Sequence, residues 1–218
     1  KTECKKLAIT TGGKLKALSE KAKVPLFPIG HKSPPRAALG YSFVPLIAIL
    51  KKLGFFPDQS SNIEAMVKEL EKLLKKLQET VPAIDNPAKQ LAQKLYGKIA
   101  VIYGAGILSQ VARRWKTQIN ENSKSWAFYE VLPELNHNAV VGYQFPPELA
   151  PYIYVVMLRC PSLHPQIQKR YKVTSELLKQ SAISHEFIDS SGKDTLSQMM
   201  HLVFFGDWAS YYLALLYL

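Results

Sequence analysis

Two cysteines in 218 residues, Cys4 and Cys160, are too few for a disulfide framework, and neither sits in a metal-type cluster. A reducing, cytoplasmic setting is the simplest one they allow. His31, His164, His185 and His201 lack the paired spacing of zinc ligands. No stretch reaches the roughly 18 uninterrupted apolar residues of a membrane span, and the N-terminus lacks the basic-then-apolar layout of a signal peptide. A Walker loop, a Gly-x-Ser-x-Gly elbow and the RNA-binding signatures are all missing. The expectation is therefore a protein without a metal site, a membrane span or a nucleic-acid partner.

What is present is an excess of positive charge. Lysine and arginine number 28 against 17 acids, a net charge of +11 that favours anionic partners such as phosphorylated metabolites. Many of the lysines fall between Lys68 and Lys76, interleaved with Glu69 and Glu71, which reads as a solvated helix face. The charge permits a phosphate ligand without requiring one.

Short apolar runs alternate with longer amphipathic ones, the pattern of parallel sheets wrapped by helices. Strands are expected at 7–11, 25–29, 99–103, 153–158 and 186–188. Helices are expected at 14–22, 37–53, 63–80, 108–117, 165–181 and 195–218. The third of these has apolar residues at 63, 66, 67, 70, 73, 74 and 77, close to ideal helical spacing. Two prolines and an Asx group at Val81–Pro87 mark a joint, dividing the chain into 1–81 and 82–218. The first part then holds only two strands, too few for a complete sheet, and both ends of the chain interrupt a pattern. A partial first lobe is expected.

Three places could carry chemistry. Tyr103-Gly104-Ala105-Gly106 ends a strand and opens a helix, but Ser109 stands where a dinucleotide fingerprint needs Gly or Ala; a tight turn is the alternative. Arg36 follows Pro34-Pro35 at a helix start, where an anion would meet both guanidinium and helix dipole. Glu121, in an amide-rich turn after a helix, and His137, between Asn136 and Asn138, lie sixteen residues apart. A carboxylate and an imidazole of this kind suit proton transfer on a small polar substrate.

Taken together, five segments carry a resemblance: Ile9–Leu15, Pro35–Tyr41, Arg114–Lys124, Glu134–Asn138 and Gly206–Ala214. In that order they resemble the bifunctional phosphoglucose/phosphomannose isomerases of the sugar isomerase (SIS) superfamily. The resemblance implies an α/β fold of two SIS lobes, each a parallel sheet flanked by helices, the first lobe incomplete in this chain. It further implies a homodimer with shared active sites that interconverts glucose 6-phosphate or mannose 6-phosphate with fructose 6-phosphate, needing neither metal nor cofactor. By position, Glu121 becomes the base acting through an enediolate, His137 the ring-opening group contributed by the neighbouring subunit, and Arg36 the cation stabilising the enediolate. Asn122, Lys124 and Ser210 become substrate-binding candidates, Ser210 toward the C2 hydroxyl. The family's Gly-Gly-Ser and Ser-x-Ser-Gly-Asn-Thr phosphate loops do not occur in these residues, no lysine follows Lys193, and Ala139 stands where many relatives carry an acid. Those departures leave a non-catalytic, sugar-phosphate-binding SIS module as the alternative.

Overall fold

The computed structural model describes residues 4–218, which form two compact units divided between Gln59 and Ser60. In the first unit, β1 (Ala8–Thr10) pairs in parallel with β2 (Leu26–Pro28), with α1 (Gly13–Lys21) between them. The turn from β1 into α1 requires its glycines. Gly12 and Gly13 have φ of 141° and 66°, backbone that a side chain would strain. Thr10 locks this turn, its Oγ1 accepting from Gly12 N at 3.2 Å and donating to Gly12 O at 3.0 Å. The helix expected from residue 37 is shorter than its pattern. Pro34 and Pro35 produce a single 3₁₀ turn over Pro35–Ala37, and α2 (Leu39–Lys52) begins only after Ala38 leaves helical geometry.

The second unit runs α3 (Ser60–Leu77), α4 (Pro87–Leu95), β3 (Ile99–Ala105), α5 (Ser109–Asn122), β4 (Ala127–Leu132), β5 (Ile153–Arg159), α6 (Pro165–Gln180), β6 (Ser184–Asp189) and α7 (Thr195–Leu216). Its four strands are all parallel, in the order β4-β3-β5-β6. The central strands β3 and β5 read as near-continuous apolar runs because helices cover both faces of the sheet. α7 packs on α3, α4 and α5, which explains why its sequence is apolar nearly all round.

Two elements were not expected. α4 is nine residues long, and β4 is an edge strand whose exposed Phe128, Tyr129 and Glu130 give no clean alternation. The expected joint at Val81–Pro87 is a fixed corner rather than a linker. Asn86 is fully buried there; its Nδ2 donates to Leu77 O at 2.9 Å while its Oδ1 accepts from Ala88 N and Lys89 N at 3.1 Å. One side chain thus satisfies the end of α3 and the start of α4. The compact units divide at 59/60, because α3 packs against α7 in the second unit.

Candidate active site

The segments Arg114–Lys124 and Gly206–Ala214, about ninety residues apart in the chain, meet as facing sides of α5 and α7. Arg114 Nη2 donates to Asp207 Oδ2 and Gln118 Nε2 to Asp207 Oδ1, both at 2.8 Å. Trp115 Nε1 donates to Leu202 O at 2.8 Å, and its ring lies so close to Gly206 that a Cβ there would come within 2.3 Å of it. Asn122 Nδ2 donates to Ser210 Oγ at 2.9 Å, and Ser123 Oγ donates to Ser210 O at 2.7 Å. Positions 114, 115, 118 and 122 share one helix face, as do 202, 206 and 210. Burial raises the Asp207 carboxyl above the ordinary carboxylate range, with Arg114 and Gln118 pulling the other way.

This contact carries Glu121. The sequence placed Glu121 after a helix, but α5 extends through Asn122 and holds Glu121 in its last turn with an exposed side chain. The extra turn, rich in amides of modest helix propensity, persists because Gln118 and Asn122 are tied to α7. Its end is capped from within. Lys124, at φ 54°, folds back so that Nζ donates to Glu121 O at 2.7 Å, and Asn120 Nδ2 donates to Ser125 O at 2.7 Å. A cation at this end also complements the helix dipole.

Ser210, expected toward the C2 hydroxyl of a substrate, is 1% exposed, its hydroxyl accepting from Asn122 and donating to Asp207 O at 2.9 Å. Its place is beneath Asn122, as a support. Asp207 and Gln118 were missed, although a lone aspartate inside an otherwise apolar helix was a readable signal.

His137 stands elsewhere. It follows a 3₁₀ turn over Glu134–Asn136 and is exposed, its N–H donating to Glu134 O at 2.9 Å. Asn136 Nδ2 donates to Thr174 Oγ1 on α6 at 2.8 Å, and Asn138 Nδ2 to Glu134 Oε1 at 3.1 Å. Glu121 precedes β4 and His137 follows it. The six strand residues between them span about 20 Å, and no hydrogen bond or ion pair joins the two side chains. Arg36 belongs to the first unit, half-buried within the turn Pro35–Ala37.

Gly104, near the end of β3, serves packing. A Cβ on Gly104 would sit 2.6 Å from Leu108 O and 2.8 Å from the Ala112 Cβ, so α5 approaches the strand only over glycine. Among the described residues, no three His, Cys, Asp or Glu side chains are grouped as metal ligands, and no helix is long and apolar enough to cross a membrane. A cavity of 1060 Å³ lies between α3 and the start of α7, lined by Lys68, Lys72, Lys75 and Lys193 among others; none of the six site candidates lines it.

The family model described as the bacterial phospho-glucose isomerase C-terminal SIS domain matches residues 84–217. The chain belongs to that family. Within the SIS domain so defined lie Glu121, Asn122, Lys124, His137 and Ser210, while Arg36 lies outside it. A bifunctional phosphoglucose/phosphomannose isomerase of Caldicellulosiruptor bescii is 42% identical over 97% of this chain and 62% of its own length. One from Aquifex aeolicus is 31% identical over 98% of this chain and 62% of its own. The chain thus spans less than two thirds of the curated relatives it matches. Among solved structures, a glucose-6-phosphate isomerase like protein from Thermus thermophilus shares the fold, with a TM-score of 0.66 at 20% identity, covering 96% of this chain and 72% of that one.

Proposed function

We propose that the protein carrying this chain interconverts glucose 6-phosphate or mannose 6-phosphate with fructose 6-phosphate, in the cytoplasm and without a cofactor. The observation that carries this reading is the 42% identity, over nearly the whole chain, to a relative named for both isomerase activities. The residues have the chemistry the reaction needs. Glu121 takes the proton from C2 of the open-chain aldose while the C1 carbonyl oxygen gains one, leaving an enediol or enediolate. Return of the proton to C1, with loss of the C2 hydroxyl proton, yields the ketose. The electron pair stays within the substrate, so no redox partner is consumed. Arg36 holds the negative charge that develops on the enediolate oxygens. His137 moves the proton that opens the sugar ring, and Lys124 and Asn122 flank the substrate beside Glu121.

Because Glu121 and His137 lie at opposite ends of β4, the reading requires two copies of the chain. In a twofold dimer, Glu121 of one copy and His137 of the other complete each site.

The test is a coupled assay of glucose 6-phosphate formation from fructose 6-phosphate, using the polypeptide as its gene encodes it. Turnover that falls about 10²- to 10⁴-fold in Glu121→Gln, with the melting temperature unchanged, is the expected result. Binding of fructose 6-phosphate without turnover would replace this reading with that of a sugar-phosphate-sensing SIS module.

A further inference from the structure

Between β4 and β5 the chain runs for twenty residues, 133–152, with 3₁₀ turns as its only regular structure. His137 lies in its first third. On one side the segment is anchored by Leu135, which is fully buried, and by the bond from Asn136 to Thr174. On the other side little apolar surface is covered, since Val141 and Phe145 are 81% and 76% exposed. There the tie to the sheet is a pair of phenols: Tyr143, following the 3₁₀ turn Ala139–Gly142, meets Tyr103 of β3 hydroxyl to hydroxyl at 2.8 Å. Tyr103 is almost wholly buried in the sheet, directly across from Glu130 of β4.

We propose that Tyr103 and Tyr143 are positioning residues for His137, fixing the 133–145 segment so that the imidazole is presented in one place. This rests on the reading of His137 as the ring-opening group. A hydroxyl pair suits the task because it is directional. An apolar contact would let the segment slide, whereas a bond between two phenols sets both distance and angle. Burial pushes both hydroxyls up from the usual tyrosine value, and the nearby Glu130 carboxylate adds to this, so the pair stays protonated and intact through the neutral range. Neither phenol needs to touch substrate.

The experiment compares two substrates. Fructose 6-phosphate must be ring-opened before isomerisation, whereas 5-deoxyfructose 6-phosphate lacks the hydroxyl that closes the ring and enters open. Tyr103→Phe, Tyr143→Phe, the double variant and His137→Gln are assayed on both. The expected result is a kcat loss of about tenfold to a hundredfold on fructose 6-phosphate for either phenylalanine variant. KM and turnover of the deoxy substrate should stay near wild type, and the double variant should be no worse than the singles. His137→Gln should share this substrate selectivity. Equal losses on both substrates, or no loss, in Tyr143→Phe would overturn the positioning role even if Tyr103→Phe failed to fold. A wild-type protein that turns over neither substrate would instead sink the isomerase reading. A His137→Gln variant that does not distinguish the substrates would remove the ring-opening role, and the positioning proposal with it.

Discussion

Asn122 donates its side-chain amide to the Ser210 hydroxyl at 2.9 Å, and Ser210 Oγ in turn donates a hydrogen bond to the Asp207 backbone O. This link from the last turn of α5 to the middle of α7 fixes the backbone that carries Glu121. Ser210→Ala leaves the Asn122 amide without this acceptor in a half-buried place. A stability loss of about 1–3 kcal/mol is expected from the urea midpoint, together with a lower kcat at nearly constant KM as Glu121 loses its fixed position. An unchanged midpoint would show that the link is dispensable.

Gly206→Ala tests the same interface by volume. The added Cβ would fall 2.3 Å from Trp115 Nε1 and 2.4 Å from Trp115 Cε2, inside a helix pair that cannot separate without breaking the bond from Trp115 to Leu202 O. Overpacking of this kind costs about 1–3 kcal/mol, and the ordinary helix preference for alanine over glycine will not offset it. Thermal unfolding of the variant should begin earlier, and equal or higher stability would contradict the geometry.

Mixing two impaired variants tests the proposal that the site is shared between two copies. Glu121→Gln and His137→Gln homodimers should each be impaired, but co-expressed subunits form hybrids in which one of the two sites keeps both groups. Activity should recover to roughly a quarter of wild type. If hybrids isolated by dual affinity tags remain as inactive as their parents, both groups come from the same subunit.

His201, on α7, sets a pH dependence. Its Nδ1 is buried without a hydrogen-bond partner, and burial lowers its pKa below 6.5, with Lys76 acting the same way and Glu69 opposing. The unfolded chain therefore takes up the proton first as the solution is acidified. The contribution is present above 6.5 and is lost as pH falls through the folded value. Melting temperature should drop on going from about pH 7.5 to about pH 5, and His201→Gln should make the drop smaller. An identical pH profile in the variant would rule His201 out as its source.

The legibility of the chain varied with the source of order. β3 and β5 were readable because parallel strands covered on both faces must be apolar along their length. α3 was readable because its apolar stripe keeps helical period over five turns. β4 was not, since an edge strand exposes Phe128 and Tyr129 on a surface with no pattern to detect. Likewise the last turn of α5 has only modest propensity of its own; Asp207 and Ser210, far off in sequence, hold it.

Composition, periodicity and motif order by themselves determined the α/β class, the parallel sheets and the family, because these depend on local spacing and on residue types that a chain displays openly. The tertiary structure alone decided that Ser210 supports Asn122 from a buried position, that Glu121 lies in the last turn of a helix rather than after one, and that His137 follows the strand that Glu121 precedes. Those facts depend on which distant side chains become neighbours: Asp207 stands out in the apolar α7 sequence, but nothing in either helix alone says that Arg114 and Gln118 are its partners. The Glu121–His137 separation came from strand direction, which spacing in sequence does not record.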